Sequence, residues 1–133
     1  MAKETDIFQK VPPHNLEAEQ SLLGSLLIDG QSIVKIADIV DSSDFYKEAH
    51  AEVFNVIKDL YERRDPVDIL NVTNRLIEKN QLEAVGGRSY LSGLANAVPT
   101  ASHIVAYAHI IQKKSTLRKL LHAATSIVQK GYD

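Results

Sequence analysis

The residues able to do chemistry are few. There are five histidines, no cysteine, seventeen carboxylates and scattered serines. Without thiols there is neither a disulfide framework nor a thiolate metal site, and a metal could be held only by His and carboxylate. His103 and His109 lie six apart, which does not place them on one helical face. Glu48 and Glu52 stand at i and i+4 and so are neighbours on a helix, but His50 between them points elsewhere. Ser21, Ser25 and Ser115 have no base at a fixed spacing that would activate a nucleophile. A phosphate-cradling GxxxxGK(S/T) loop is missing, as are GxGxxG after a strand and HExxH; Gly86-Gly87 reads as a turn. These absences predict no catalytic, cofactor-binding or metal-binding residue and no nucleotide hydrolysis by this chain. It is expected to work by binding.

The elements that would carry a binding surface follow from composition and periodicity. A chain of 133 residues fits one domain with a real core. A hydrophobic content of 44% with 24% charged residues matches an ordinary soluble protein. The mixed-charge opening MAKETDIF lacks the apolar centre of a signal peptide, so a cytoplasmic location is expected. No apolar run approaches the roughly 18 residues that span a bilayer.

Charge is unevenly spread. Residues 1–83 carry sixteen of the seventeen acids against nine Lys and Arg. Residues 84–133 carry only Asp133 against Arg88, Lys113, Lys114, Arg118, Lys119 and Lys130. The asymmetry fits an anionic partner, docking of acidic on basic surfaces, or a basic coat on the solvent side of a long helix. A sequence pI near 6.2 and few aromatics argue against a dedicated DNA-binding domain.

Residues 1–10 lack periodicity and are expected to form a flexible arm ahead of a domain over 11–133. Val11-Pro12-Pro13 is an extended entry. Asn15 can cap a first helix carrying Leu16, Leu22, Leu23, Leu26 and Leu27, with Glu17 and Glu19 in its first turn. Gly24 inside that helix suggests close approach of another backbone. Ile33, Ile36, Ala37 and Val40 fit a second helix over 31–40. A third, roughly 45–63 and capped by Ser43 or Asp44, carries Phe45, Ala49, Val53, Phe54, Ile57, Leu60 and Tyr61 and is the expected core spine. Asp68 caps a fourth with Ile69, Val72, Leu76 and Ile77. A fifth carries Tyr90, Leu91, Leu94 and Ala95 up to Pro99. The fold class is all-α: a compact bundle of about six helices ending in a long helix.

That last helix, 103–130, contains neither Pro nor Gly and would run to roughly 42 Å. Ile104, Tyr107, Ala108 and Ile111 form one apolar stripe. Leu117, Leu120, Leu121, Ala124, Ile127 and Val128 form another, about 120° round the helix. The first can close the domain's own body; the second needs an outside helix to lie against. Taken alone, the residues leave open a stand-alone helical adaptor and a small DNA-binding regulator.

The stretches VPPHNLEAEQSLLGSLL, SSDFYKEAHAEVFNVI, DPVDILNVTNRL and LEAVGGRSYLSGLANAVPTASHIVAYAHII resemble, in order and spacing, the N-terminal domain of the DnaB-type bacterial replicative DNA helicase. The resemblance covers residues 11–133. It implies a parent hexameric, ATP-dependent helicase acting at the replication fork, whose motor domain, with its ATP and Mg, is absent here. The chain would then be a fragment cut within a helical hairpin, the last helix forming its first half. In such a family the domain is non-catalytic. It dimerises, packs as a trimer of dimers into a collar, and docks the C-terminal domain of primase, with a helicase loader as a further partner. By the resemblance, primase contacts fall on Glu17, Tyr90, Leu121 and Ile127, and self-association on residues 110–130.

Overall fold

The computed structural model describes residues 10–133, so all of the expected N-terminal arm except Lys10 lies outside the described residues. Seven α-helices are present among them, and no strand: α1 (Leu16–Ile28), α2 (Ile33–Ile36), α3 (Glu48–Glu62), α4 (Ile69–Glu78), α5 (Leu82–Val85), α6 (Gly87–Asn96) and α7 (Ile104–Tyr132). Short 3-10 turns at Gly30–Ser32 and Ser42–Asp44 complete the connections. No helix among the described residues is long and apolar enough to cross a membrane.

The hub is α1, not α3. It packs against α3, α6 and α7 at once, and α3 in turn carries α4 and α5. Leu22, Leu23, Leu26 and Leu27 are buried together with Ala18 and Gly24. A helix apolar on several faces suits a position enclosed by neighbours, whereas the single clean stripe of α3 suits a helix lying on the outside of the core. Accordingly Val53, Phe54, Ile57 and Leu60 are buried while Tyr61 is exposed. Gly24 does permit the expected close approach: a Cβ there would collide with the Leu94 carbonyl of α6. Leu16 and Ile77, expected inside, are exposed.

Helix boundaries follow local chemistry. The Asn15 side chain accepts from Ala18 N at 2.9 Å and caps α1. Asp68 does the same for α4, accepting from Asn71 N at 2.8 Å. Helix α3 ends with Arg64 at φ +62° and α4 with Asn80 at φ +56°, each closing a left-handed C-terminal turn. Two expectations need correction. The helix over 31–40 shrinks to one α turn between a 3-10 turn and a loop, and Ala37 is exposed. Helix α3 starts at Glu48, leaving Phe45 buried but outside it; neither Ser43 nor Asp44 is its cap, because the Asp44 carboxylate accepts from Asp41 N instead. The start of α7 likewise has no side-chain cap; Thr100 accepts from Ser102 N just ahead of it.

Candidate functional site

Helix α7 divides at its middle. Every buried side chain on it lies in the first half: Ile104, Ala108, Ile111 and finally Ser115. This half packs on α1 and α2. Beyond it, Leu117, Leu120, Leu121, Ala124, Ile127 and Val128 are all exposed, with Leu120 at 64% and Ile127 at 71%. Among the described residues the second apolar stripe is therefore uncovered. Val105 and Ile110 are exposed as well, although periodicity did not single them out.

A polar clamp fixes where the free half begins. Ser115 Oγ donates to Asp44 Oδ1 at 2.7 Å, and Lys119 Nζ reaches the same oxygen at 3.4 Å. Arg118 donates to two backbone carbonyls, Pro13 O at 2.8 Å and Asp44 O at 2.6 Å. Its guanidinium also lies 5.6 Å from the Tyr46 ring, and His14 stacks on that ring at 4.2 Å. A basic coat on the solvent side of the helix is one of the readings the charge pattern leaves open; Arg118 is instead a structural tie between α7, the chain entry and the turn before α3.

Next to this clamp, and sharing Tyr46 with it, sits a cluster that spacing within one helix could not reveal. Glu19 of α1 and His50 of α3 are buried, at 1% and 0% exposure. Glu19 Oε1 pairs with His50 Nδ1 at 2.8 Å; its Oε2 accepts from Tyr46 N at 2.7 Å, and Oε1 also accepts from Lys47 N at 3.3 Å. A carboxylate from α1 thereby caps α3 at its N-terminus, which suits both the free N–H groups and the helix dipole. His50 Nε2 meets the Tyr90 hydroxyl at 2.6 Å, with the two rings nearly parallel. Because the Glu19 carboxylate only accepts, Nδ1 carries the proton toward it; in the neutral ring Nε2 then accepts from Tyr90 O–H. Lys47 Nζ lies 4.8 Å over the Tyr90 ring.

The predicted site residues are therefore distributed in two places. Tyr90 is half-buried and tied to Glu19, while Glu17 stands exposed in the first turn of α1. The six stripe residues share the free half of α7. Sequence reasoning passed over Glu19 and His50. A signal was there: each lies on the apolar face of its helix, Glu19 with Leu22, Leu23 and Leu26, and His50 with Val53, Phe54 and Ile57. Such positions demand a buried partner.

Chemically the cluster is saturated. Each nitrogen of His50 and both Glu19 oxygens are engaged within the protein. A hollow of about 510 Å³ lies at the opposite end of α3, between Gln31, Tyr61 and Val67. Among the described residues no group of three or more His, Asp or Glu could hold a metal ion. What the geometry offers is surface: an apolar helical arm and a fixed tyrosine.

Comparison with known proteins decides the family. Residues 11–113 match the family described as the DnaB-like helicase N terminal domain. The chain belongs to that family. Its fold agrees with the N-terminal domain of DnaB helicase from Mycobacterium tuberculosis at a TM-score of 0.89 and 40% identity, over 92% of this chain and 85% of that one. The replicative DNA helicase DnaB of Geobacillus stearothermophilus is 44% identical over 93% of this chain, and that of Bacillus subtilis, DnaC, 41% over 96%. This chain spans 27% and 28% of those two proteins' lengths. A further match, described as a DnaB-like replicative helicase and its interactions with primase, has a TM-score of 0.77 and 25% identity over 87% of this chain and 27% of that one.

Proposed function

We propose that this chain serves as the non-catalytic oligomerisation and primase-docking domain of an ATP-dependent replicative DNA helicase, acting in the cytoplasm at the replication fork. The observation that carries the reading is the free half of α7, whose apolar residues are left uncovered by the described residues of their own chain. Burying a large aliphatic side chain contributes about 1.5–3 kcal/mol. Six partly exposed residues therefore supply enough to offset the entropy of joining two chains, but not by a wide margin. Leu117, Leu120, Leu121, Ala124, Ile127 and Val128 form the self-association stripe, which builds dimers and, in the parent, a trimer of dimers. The stripe acts as the first half of a hairpin. Glu17, Tyr90, Leu121 and Ile127 face primase. Nucleotide, magnesium and most DNA contacts belong to a motor domain elsewhere in the parent, and a loader is a further partner.

Sedimentation equilibrium of the wild-type chain and of Leu117→Glu/Leu121→Glu tests the assembly part. Self-association is expected for the first and a monomer for the second. Identical behaviour of the two would remove the stripe from the interface. Calorimetric titration with the C-terminal domain of the cognate primase tests the docking part, and absence of any complex would overturn it.

A further inference from the structure

We infer that Glu19 and His50 are positioning residues that hold Tyr90 ready for a partner, an assignment that rests on the docking reading just given. Three contacts fix this one half-exposed ring. Behind it, His50 Nε2 lies 2.6 Å from the hydroxyl oxygen. Beneath it, Gly86 at φ +115° lets α6 begin so close that a Cβ would come within 2.8 Å of Tyr90 Cβ. Over its face, Lys47 holds an ammonium 4.8 Å from the centroid. The far end of the chain of bonds is anchored through Glu19 to the backbone amides of Tyr46 and Lys47, and so to the start of α3.

Burial explains why this is more than packing. A carboxylate and an imidazole among leucines are costly unless fully bonded, and an apolar pair would fill the space with less demand. The polar pair adds something an apolar pair would not: a grip on a hydroxyl that reaches the surface. With the neutral Nδ1–H ring of His50 behind it, Tyr90 directs its proton inward and presents its ring and an oxygen lone pair. The partner surface it suits is one bringing an N–H or O–H donor to that oxygen, with an acceptor or carboxylate opposite Lys47. A side chain fixed in the bound orientation before docking spares the partner the cost of ordering it.

The test measures affinity for the primase C-terminal domain in Tyr90→Phe, His50→Asn and the double variant, each with a thermal melt. In His50→Asn the amide can still donate to Glu19 but no longer reaches the Tyr90 hydroxyl, which keeps only the long 3.5 Å contact from Lys47 Nζ. Each single variant is expected to weaken binding about five- to tenfold, the scale of one lost hydrogen bond or one unfrozen side chain. The double variant is expected to bind no worse than either single one, because both break the same link. Losses that multiply, or a folded His50→Asn with unchanged affinity, would overturn the positioning role while leaving docking at Tyr90 intact. No binding by wild-type chain would instead sink the docking reading itself. Imidazole 15N spectra of the unsubstituted chain need no variant to fold. The buried His50 Nε2 resonance is expected to move when primase saturates the surface, and an unmoved resonance overturns the inference.

Discussion

Replacing Glu19 by Ala tests how the body is held together. The substitution removes the side chain that bonds α1 to the start of α3 and to His50. Two donors lose a short bond, Tyr46 N at 2.7 Å and His50 Nδ1 at 2.8 Å, and both lie at least partly out of water. Stranding a buried donor costs about 1–3 kcal/mol. The Lys47 N contact, at 3.3 Å, adds little. The sum is about 2–6 kcal/mol, a large share of the 5–15 kcal/mol typical of a domain. Urea unfolding followed by circular dichroism at 222 nm reads it directly. Glu19→Met separates the causes: it restores volume without an acceptor and is expected to fall near Glu19→Ala. Glu17→Ala, two residues earlier and exposed, is expected to stay within about 0.5 kcal/mol of wild type. A loss below about 1 kcal/mol for Glu19→Ala would refute the argument, because the bonds would then be worth no more than those water supplies.

Gly24→Ala sets helix propensity against packing. Propensity alone favours Ala by about 1 kcal/mol, but the new methyl meets the Leu94 carbonyl, and overpacking of this kind costs about 1–3 kcal/mol. The melting temperature is expected to fall; a rise would mean α1 and α6 can separate freely. Asp41→Ala carries a pH signature. The Ser42 amide, with Lys58 beside it, holds the Asp41 carboxyl below its ordinary value. A depressed carboxyl stabilises the fold above its unfolded value near 4, and the contribution is lost as pH falls through the lower folded value. Because the group is largely exposed, the loss in Asp41→Ala is expected to be only about 0.5–1 kcal/mol at pH 7. It should shrink as pH falls through the acid range below about 4, and a difference that stays constant with pH would assign the effect to packing.

What was legible in the sequence depended on whether the information was local. Asn15 and Asp68 cap their helices as their side chains dictate, and the apolar periods of α1, α3 and α7 placed most of the core. The uncovered stripe of α7 was legible because a helical face is fixed by spacing alone. The cap of α3 was not, since its acceptor comes from Glu19, distant in sequence. Nor was the role of His50: compared only with Glu48 and Glu52 on its own helix it had no partner, and its two partners lie on α1 and α6. The helix over 31–40 failed for a different reason. Its apolar spacing is helical, but four apolar positions in fewer than three turns' worth of chain cannot outweigh the Ser42–Asp44 turn that Asp44 closes and that Ser115 and Arg118 then hold.

That turn also bears on the arm. The clamp formed by Asp44 with Ser115, Arg118 and Lys119 is, among the described residues, the last polar tie between α7 and the body, so it sets both the point and the direction in which the helix leaves. From Leu120 onward about 13 residues remain, roughly 20 Å of helix. An isolated helix of that length is marginal in water. The clamp offsets part of the difficulty by supplying a ready nucleus, leaving only propagation to be stabilised. The rest must come from whatever covers Leu120, Leu121, Ile127 and Val128. Order in the arm and association through it are thus one equilibrium: a partner that buries the stripe also stabilises the helix that presents it.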